Sequence, residues 1–153
     1  MELSVRLALP SDVSVIAEFN AAMAKETEGI ELNRDRLQKG VEALFTDPSK
    51  GLYYIAESDG KIAGQLMITY EWSDWRNATF WWIQSVYVRQ EYRRQGVFHA
   101  LYRSIETIAR THGDVCGIRL YVEKENDRAQ KTYEALGMKH SHYEMMEMEL
   151  GLN

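Results

Sequence analysis

The sequence predicts a mixed α/β domain whose front half is antiparallel. Three observations carry this. The chain opens with an alternating strand, "ELSVRLAL", followed by two helical stripes. Two β-rich runs, Leu52–Glu57 and Ile62–Tyr70, flank Ser58-Asp59-Gly60-Lys61, a strong hairpin signal. A long aromatic strand, "TFWWIQSVYV", then leads through a turn into a helix and another strand, "GIRLYVE". The expected order is β-αα-ββ-β-α-β-α-β, in a single domain covering residues 1–153.

Each element has a local reason. Pro10-Ser11-Asp12 opens the first helix, and Val13, Ile16, Phe19 and Met23 recur at helical spacing. "KETEGIEL" should break that helix with charge and Gly29. Asn33 can cap the second helix, whose Leu37, Val41, Leu44 and Phe45 share a face before Asp47-Pro48 ends it. "EWSDWRNA" reads as a connection. After Gly96, residues Val97, Leu101, Ile105, Ile108 and Ala109 form the apolar stripe of a third helix. Asn126 caps a fourth, which carries Ala129, Tyr133 and Leu136 and stops at Gly137. "HYEMMEMEL" reads as a closing strand, with Met145, Met146 and Met148 as strand packing.

Composition narrows the function classes. The chain of 153 residues can bury a core without disulfides or metals. Apolar residues make up 45% and charged residues 27%, an ordinary globular balance. Net charge is 18 minus 23, or -5, which argues against broad nucleic-acid binding. The lone Cys116, before an apolar strand, is expected to be buried and inert, and it fits a reducing, cytoplasmic location. No apolar run approaches the length of a membrane span, so no membrane partner is expected. His140 and His142 lack a third ligand at suitable spacing, so no metal is expected either.

The segment "EYRRQGVFHALY" raises a more specific expectation. It sets Arg93, Arg94 and Gln95 before Gly96 at a helix start. A helix N-terminus has unpaired N–H groups and the positive end of the dipole, and glycine lets an anion approach the backbone. Neither a P-loop nor a dinucleotide fingerprint fits, since Val97-Phe98 follow the glycine and no G-x-G-x-x-G is present. Solvated surface arginines beside an ordinary turn would give the same letters.

The strand "IQSVYV", the turn "RRQGV" and the later "NDRAQKTYEALGM" together resemble the GCN5-related N-acetyltransferase (GNAT) family. Its Q/R-x-x-G-x-G/A motif matches up to the last position, where Phe98 stands in place of Gly or Ala. Asn126, Ala129, Tyr133 and Leu136-Gly137-Met138 match a second family segment. The resemblance implies a GNAT fold, a mixed and mostly antiparallel twisted sheet of about six to seven strands flanked by about four helices. It also implies acetyl-CoA as co-substrate. The N–H groups of Arg94, Gln95, Gly96, Val97 and Phe98 would receive the pyrophosphate, Arg93 and Arg94 adding charge-assisted contacts. The pantetheine arm would pair with the main chain of Val86, Tyr87 and Val88, with Asn126 bonding it from across the cleft. Relatives often form dimers, so a homodimer is the self-association expected by analogy.

For the chemistry, the resemblance implies Tyr133 as the acid that protonates the leaving thiolate. The spacing alone favours a core tyrosine on an apolar stripe; the motif match favours the acid. The N–H of Val86 or a near neighbour would polarise the thioester carbonyl at a bulge. The strand offers Gln84 and Ser85 where many relatives have a glutamate, so Gln84 would position a water and Glu71, ending the neighbouring strand, is the preferred base. Glu28, Glu31 and Asp74 are the other carboxylates in segments that the family uses for substrate, and each also reads as a solvated loop charge. Tyr70, Trp72, Trp75, Trp81 and Trp82 suggest an aromatic-walled acceptor pocket; with the carboxylates it would favour a small, cationic primary amine. The alternatives are a non-catalytic acyl-CoA-binding module of the same fold and a protein or peptide N-acetyltransferase.

Overall fold

Five strands lie side by side in chain order: β1 (Leu3–Leu7), β2 (Leu52–Ser58), β3 (Lys61–Ser73), β4 (Ala78–Val88) and β5 (Val115–Leu120). The first three pairs are antiparallel and β4–β5 is parallel. These features come from a computed structural model that describes residues 2–152. It divides into two compact units, one up to Tyr121 and one from Val122 onward.

In the first unit, the sheet is covered on both faces. Helices α1 (Val13–Glu28) and α2 (Arg34–Thr46) bury Val13, Ile16, Ala17 and Val41 against Tyr53 and Ile55, with Leu37, Leu44, Phe45 and Met67 packed around them. Strand alternation sends Tyr54, Leu66, Ile68, Trp81 and Ile83 to the other face, where α3 (Val97–His112) crosses all five strands. Leu101 and Ile105 of α3 are fully buried there. Each such side chain contributes about 1.5–3 kcal/mol of burial.

The caps follow the sequence closely. Asn33 Oδ1 accepts from Arg36 N at 3.0 Å, and Asn126 Oδ1 accepts from Ala129 N at 3.1 Å. Asp59 and Gly60 turn the β2–β3 hairpin with φ of 50° and 80°, the signature of a two-residue primed turn. At the start of α1, Arg6 donates twice to Asp12, at 2.8 and 3.0 Å, while Leu9 N donates to it at 2.7 Å.

Several expectations are corrected. "KETEGIEL" ends α1 at left-handed Gly29 as expected, but its charged "KETE" still belongs to the helix, which runs to Glu28. "EWSDWRNA" is not all connection, because β3 continues to Ser73 and only residues 74–77 turn. β5 begins at Val115 and stops at Leu120, two to three residues ahead of "GIRLYVE"; the amide of Thr79 already bonds Asp114 O at 2.9 Å, so pairing starts directly after Gly113 ends α3. Cys116 is exposed, since β5 is the last strand of the sheet. Among the described residues the sheet has five strands, fewer than six to seven.

The second unit holds α4 (Asp127–Ala135) and the residues after it. "HYEMMEMEL" forms no strand, and Met145, Met146 and Met148 are exposed rather than packed. Alternation alone does not make a strand; a ladder partner is also needed.

Candidate active site

The central feature is the free half of β4. Its parallel pairing with β5 ends at Ile83–Leu120, whereas its antiparallel pairing with β3 continues to Val88. Among the described residues, Gln84–Val88 therefore have a strand partner on one side only. Within this stretch the register with β3 slips between Gln65 and Met67, leaving Ser85 and Val86 as a bulge. Ser85 has φ of 52°, a left-handed conformation that costs a non-glycine residue about 1–3 kcal/mol.

A buried polar network holds that bulge from beneath. Gln65 is fully buried on β3, and its Nε2 donates to Ser85 O at 3.0 Å and to Asn20 Oδ1 at 2.9 Å. Asn20 on α1 in turn donates to the Tyr53 hydroxyl at 3.2 Å. Burial pushes the Tyr53 phenol up, keeping it neutral. The sequence reading missed Gln65 and Asn20. The signal for Gln65 was there, a lone amide inside the apolar run "IAGQLMI".

β4 then leads to the turn before α3. Arg94 and Gly96 both take left-handed conformations, with φ of 63° and 83°. The first helical bond runs from Ala100 N to Gly96 O, so the N–H groups ahead of it have no partner within the helix. A β-carbon at Gly96 would meet nothing within 4 Å, so the glycine faces open space. Alternating handedness, a helix start and open space make a concavity suited to an anion, and the donors present fit a pyrophosphate.

The two arginines divide. Arg93 Nε donates to Val88 O at 2.8 Å, its NH2 donates to Glu26 at 2.8 Å, and the guanidinium lies over the Tyr87 ring at 5.4 Å. It thus braces the end of β4. Glu26, also missed from sequence, accepts from the Tyr87 hydroxyl at 3.2 Å, and the Arg93 guanidinium holds its carboxyl below the usual range. The Arg94 guanidinium has no ion-pair partner among the described residues. Phe98 rests 6.2 Å from Tyr102, ring to ring, on the first turns of α3.

On the α1–α2 side of the sheet, the register sets Gln84 opposite Met67, Trp82 opposite Thr69 and Phe80 opposite Glu71. Gln84 Nε2 donates to Thr69 Oγ1 at 2.6 Å. Trp82 Nε1 donates to Glu71 at 2.8 Å, and Arg119 NH1 reaches both Glu71 oxygens at 3.1 and 3.2 Å. Trp82 stacks at 4.5 Å on Tyr121, and Arg119 lies 3.5 Å over Phe80. Arg119 carried no signal in the sequence, because only the parallel pairing of β5 brings it beside β4.

The aromatic cluster does not stay together. Trp81 turns to the α3 face, against Tyr70 and His112. Trp72 and Trp75, at the β3–β4 turn, are 61% and 89% exposed. Asp74 accepts from Trp75 N at 2.9 Å in that turn. Glu28 is the exposed last residue of α1, and Glu31 pairs with Lys25 at 2.9 Å, which holds its carboxyl low. Of the expected acceptor residues, Trp82 and Glu71 meet on the α1–α2 face, Tyr70 and Trp81 on the α3 face, and Asp74 and Trp75 in the turn.

In the second unit, Asn126, Arg128, Ala129, Thr132 and Tyr133 line a shallow pocket beside α4. Burial pushes the Tyr133 phenol up, so it remains protonated at neutral pH. No cluster of His, Cys, Asp or Glu among the described residues could hold a metal ion. No helix among them is long and apolar enough to cross a membrane.

An open strand edge with a bulge, running into a glycine turn at a helix start, defines an acetyltransferase-like cleft. The Acetyltransferase (GNAT) family model matches residues 16–138, and the chain belongs to that family. Its fold matches a "possible acetyltransferase" from Clostridium difficile 630, 49% identical, covering 99% of this chain and 100% of that one, at a TM-score of 0.91. The structure of a predicted acetyltransferase with acetyl-CoA from Clostridium acetobutylicum is 18% identical, covers 97% of both chains and has a TM-score of 0.77, a likeness of fold. Mycothiol acetyltransferase of Corynebacterium aurimucosum is 29% identical over 107 residues, 67% of this chain. The match spans 34% of that protein's length.

Proposed function

We propose that the protein transfers an acetyl group from acetyl-CoA to a small primary amine, directly and in a ternary complex. The observation that carries this reading is the unpaired edge of β4 from Gln84 to Val88, bulged at Ser85 and continuous with the turn at Gly96. Bound acetyl-CoA would supply the activated acyl thioester. The main chain of Val86, Tyr87 and Val88 would pair with its pantetheine arm as an added strand. The turn from Arg94 to Phe98 would take the pyrophosphate, and Arg94 is free to add charge. By the family correspondence, Asn126 would bond the arm.

The chemistry needs a neutral amine, a polarised carbonyl and a protonated leaving sulfur. The Val86 N–H would polarise the thioester carbonyl from the bulge. As nitrogen bonds to the acyl carbon, the carbon–sulfur bond breaks and the sulfur takes a proton. The family correspondence gives that proton donor's role to Tyr133, whose phenol burial keeps protonated at neutral pH. The amine's own proton leaves to a water oriented by Gln84, whose Nε2 is already committed to Thr69. Both oxygens of Glu71 accept bonds from Arg119, and one also from Trp82. Glu71 Oε2 accepts from Arg119 alone, so the carboxylate keeps an open acceptor site and stays the preferred base while it fixes Trp82.

A second reading, a peptide or protein acceptor, is favoured by the exposure of Trp72 and Trp75, which removes them from an enclosed pocket. CoA release measured across small amines and peptides separates the two. Turnover with peptides alone would sink the small-amine reading. Tyr133→Phe should lower kcat at least tenfold while acetyl-CoA binds nearly as before. Unchanged turnover in that variant would remove Tyr133 from the chemistry, and no turnover with any acceptor would favour a binding module.

A further inference from the structure

The surroundings of Phe80, on the α1–α2 side of the sheet, hold more positive charge than their own carboxylates offset. Phe80 is buried, and two guanidinium groups lie over its ring, Arg119 at 3.5 Å and Arg76 at 5.0 Å. The ring fits because position 117 on β5 is a glycine; a β-carbon there would sit 2.8 Å from Phe80 Cε1. Among the described residues, Glu71 is the one carboxylate bonded to either arginine, through Arg119 NH1 at 3.1 and 3.2 Å. Arg76 donates to the Ser73 hydroxyl at 3.2 Å instead. Asp74 accepts from Trp75 N within its own turn. Two cations thus share one carboxylate beside an apolar ring. A bare ammonium arriving at Glu71 would meet an excess of like charge.

Arg119 also keeps an unused edge. Its NH1 is taken by Glu71, whereas Nε and NH2 make no hydrogen bond to another described residue. The Nε–NH2 fork is the geometry that holds a carboxylate through two parallel bonds. The side chain is 32% exposed, so solutes reach the guanidinium while its face rests on Phe80. Next to it, Trp82 stacks 4.5 Å from Tyr121, whose exposed ring offers a flat apolar surface. An acceptor oxygen on Glu71, a donor fork on Arg119 and an aromatic wall therefore stand together.

Resting on the amine-acceptor reading above, we propose that Arg119 selects an acceptor that carries a carboxylate close to its amine, an amino acid. The ammonium sits at Glu71, the carboxylate on the Nε–NH2 edge of Arg119, and the side chain along Trp82 and Tyr121. Because Glu71 and Arg119 are in direct contact, the two charged groups of the acceptor must lie only a few bonds apart. Each charge of the zwitterion then meets its opposite, and the added carboxylate offsets the excess of cations around Phe80. In the reaction the amine nitrogen bonds to the acyl carbon and the carbon–sulfur bond breaks. Of the two protons that the ammonium gives up, one is matched by the proton gained at sulfur and the other passes to solvent. The carboxylate is unchanged, so the product is an N-acetylamino acid. It has lost the cation that Glu71 held, which favours its release.

The test measures CoA release from acetyl-CoA with acceptor pairs that differ only in the carboxylate: leucine and isoamylamine, phenylalanine and phenethylamine, lysine and cadaverine. In at least one pair, kcat/KM should favour the amino acid by about tenfold or more. Arg119→Gln should erase that preference, chiefly by raising KM for the amino acid, while the paired amine falls far less. An equal fall for both members of the pair overturns the proposal, because Arg119 would then act only through Glu71. Should Arg119→Gln fail to fold, the pairs measured on the unaltered protein decide the matter. Amino acids with no advantage in any pair overturn this inference and leave the proposed function standing. No turnover with either member of any pair overturns both.

Discussion

Gln65→Leu tests whether the β4 bulge is held by the network beneath it. Leucine nearly keeps the volume of the side chain but removes the donor shared by Ser85 O and Asn20 Oδ1. One buried and one part-buried acceptor lose a partner, each at a cost of about 1–3 kcal/mol. Against this, Gln65 Oε1 is itself buried without a donor among the described residues, and leucine relieves that cost. The balance is one unmet group, a net loss of about 2 kcal/mol. For a chain of this size that lowers the midpoint of thermal unfolding by roughly 4–8 °C. Urea unfolding of Gln65→Leu, Asn20→Ala and the double variant gives the coupling, expected at about 1 kcal/mol or more. With the bulge loosened, kcat should fall more than acetyl-CoA affinity if the Val86 N–H has the role proposed above. A Gln65→Leu protein as stable as the parent, with no coupling to Asn20, would refute the reasoning.

Other perturbations follow from single contacts. In Gly64→Ala, the new carbon would sit 2.7 Å from Tyr87 O and 3.2 Å from Val97 Cγ1. The strain should cost about 1–3 kcal/mol and weaken acetyl-CoA binding, since the displaced atoms belong to the β4 edge and the start of α3. Calorimetric titration showing parental affinity would contradict this. Asp12 is nearly buried, and the Arg6 guanidinium holds its carboxyl below the ordinary value of 3.8. A lowered carboxyl stabilises the fold fully above that ordinary value, and the contribution is lost as pH falls through the folded value. Asp12→Asn should therefore cost about 2 kcal/mol near neutral pH, with the gap to the parent closing on acidification. A gap that is constant with pH would exclude the ion pair as its source.

The parts of the fold that were legible in the sequence are local ones. Asn33 and Asn126 cap helices because a short amide reaches the N–H three residues on, and Asp59-Gly60 turns because both residues tolerate positive φ. The Gly96 turn is legible for the same reason. What the sequence concealed depends on which side of a strand a residue faces and on what lies beside that strand. Trp81 and Trp82 are neighbours in the chain, yet the pleat sends them to opposite faces. Arg119 meets Glu71 only through the parallel register of β5. Asn20 looks like any helix residue until Gln65 appears beneath it. The tail alternates like a strand, but no ladder partner meets it among the described residues.

The most direct test of the central claim is thermal unfolding with and without acetyl-CoA, for the unaltered protein and for Gly96→Asp. Asparagine and aspartate tolerate the left-handed conformation of position 96, and space exists there, so Gly96→Asn serves as a neutral control for folding. Acetyl-CoA at a hundredfold excess over its dissociation constant should add about 2.7 kcal/mol. That corresponds to a rise of roughly 5–10 °C in the parent. In Gly96→Asp, a carboxylate at the pyrophosphate's place should abolish the rise. No rise in the unaltered protein at saturating acetyl-CoA, or an equal rise in Gly96→Asp, would contradict the account.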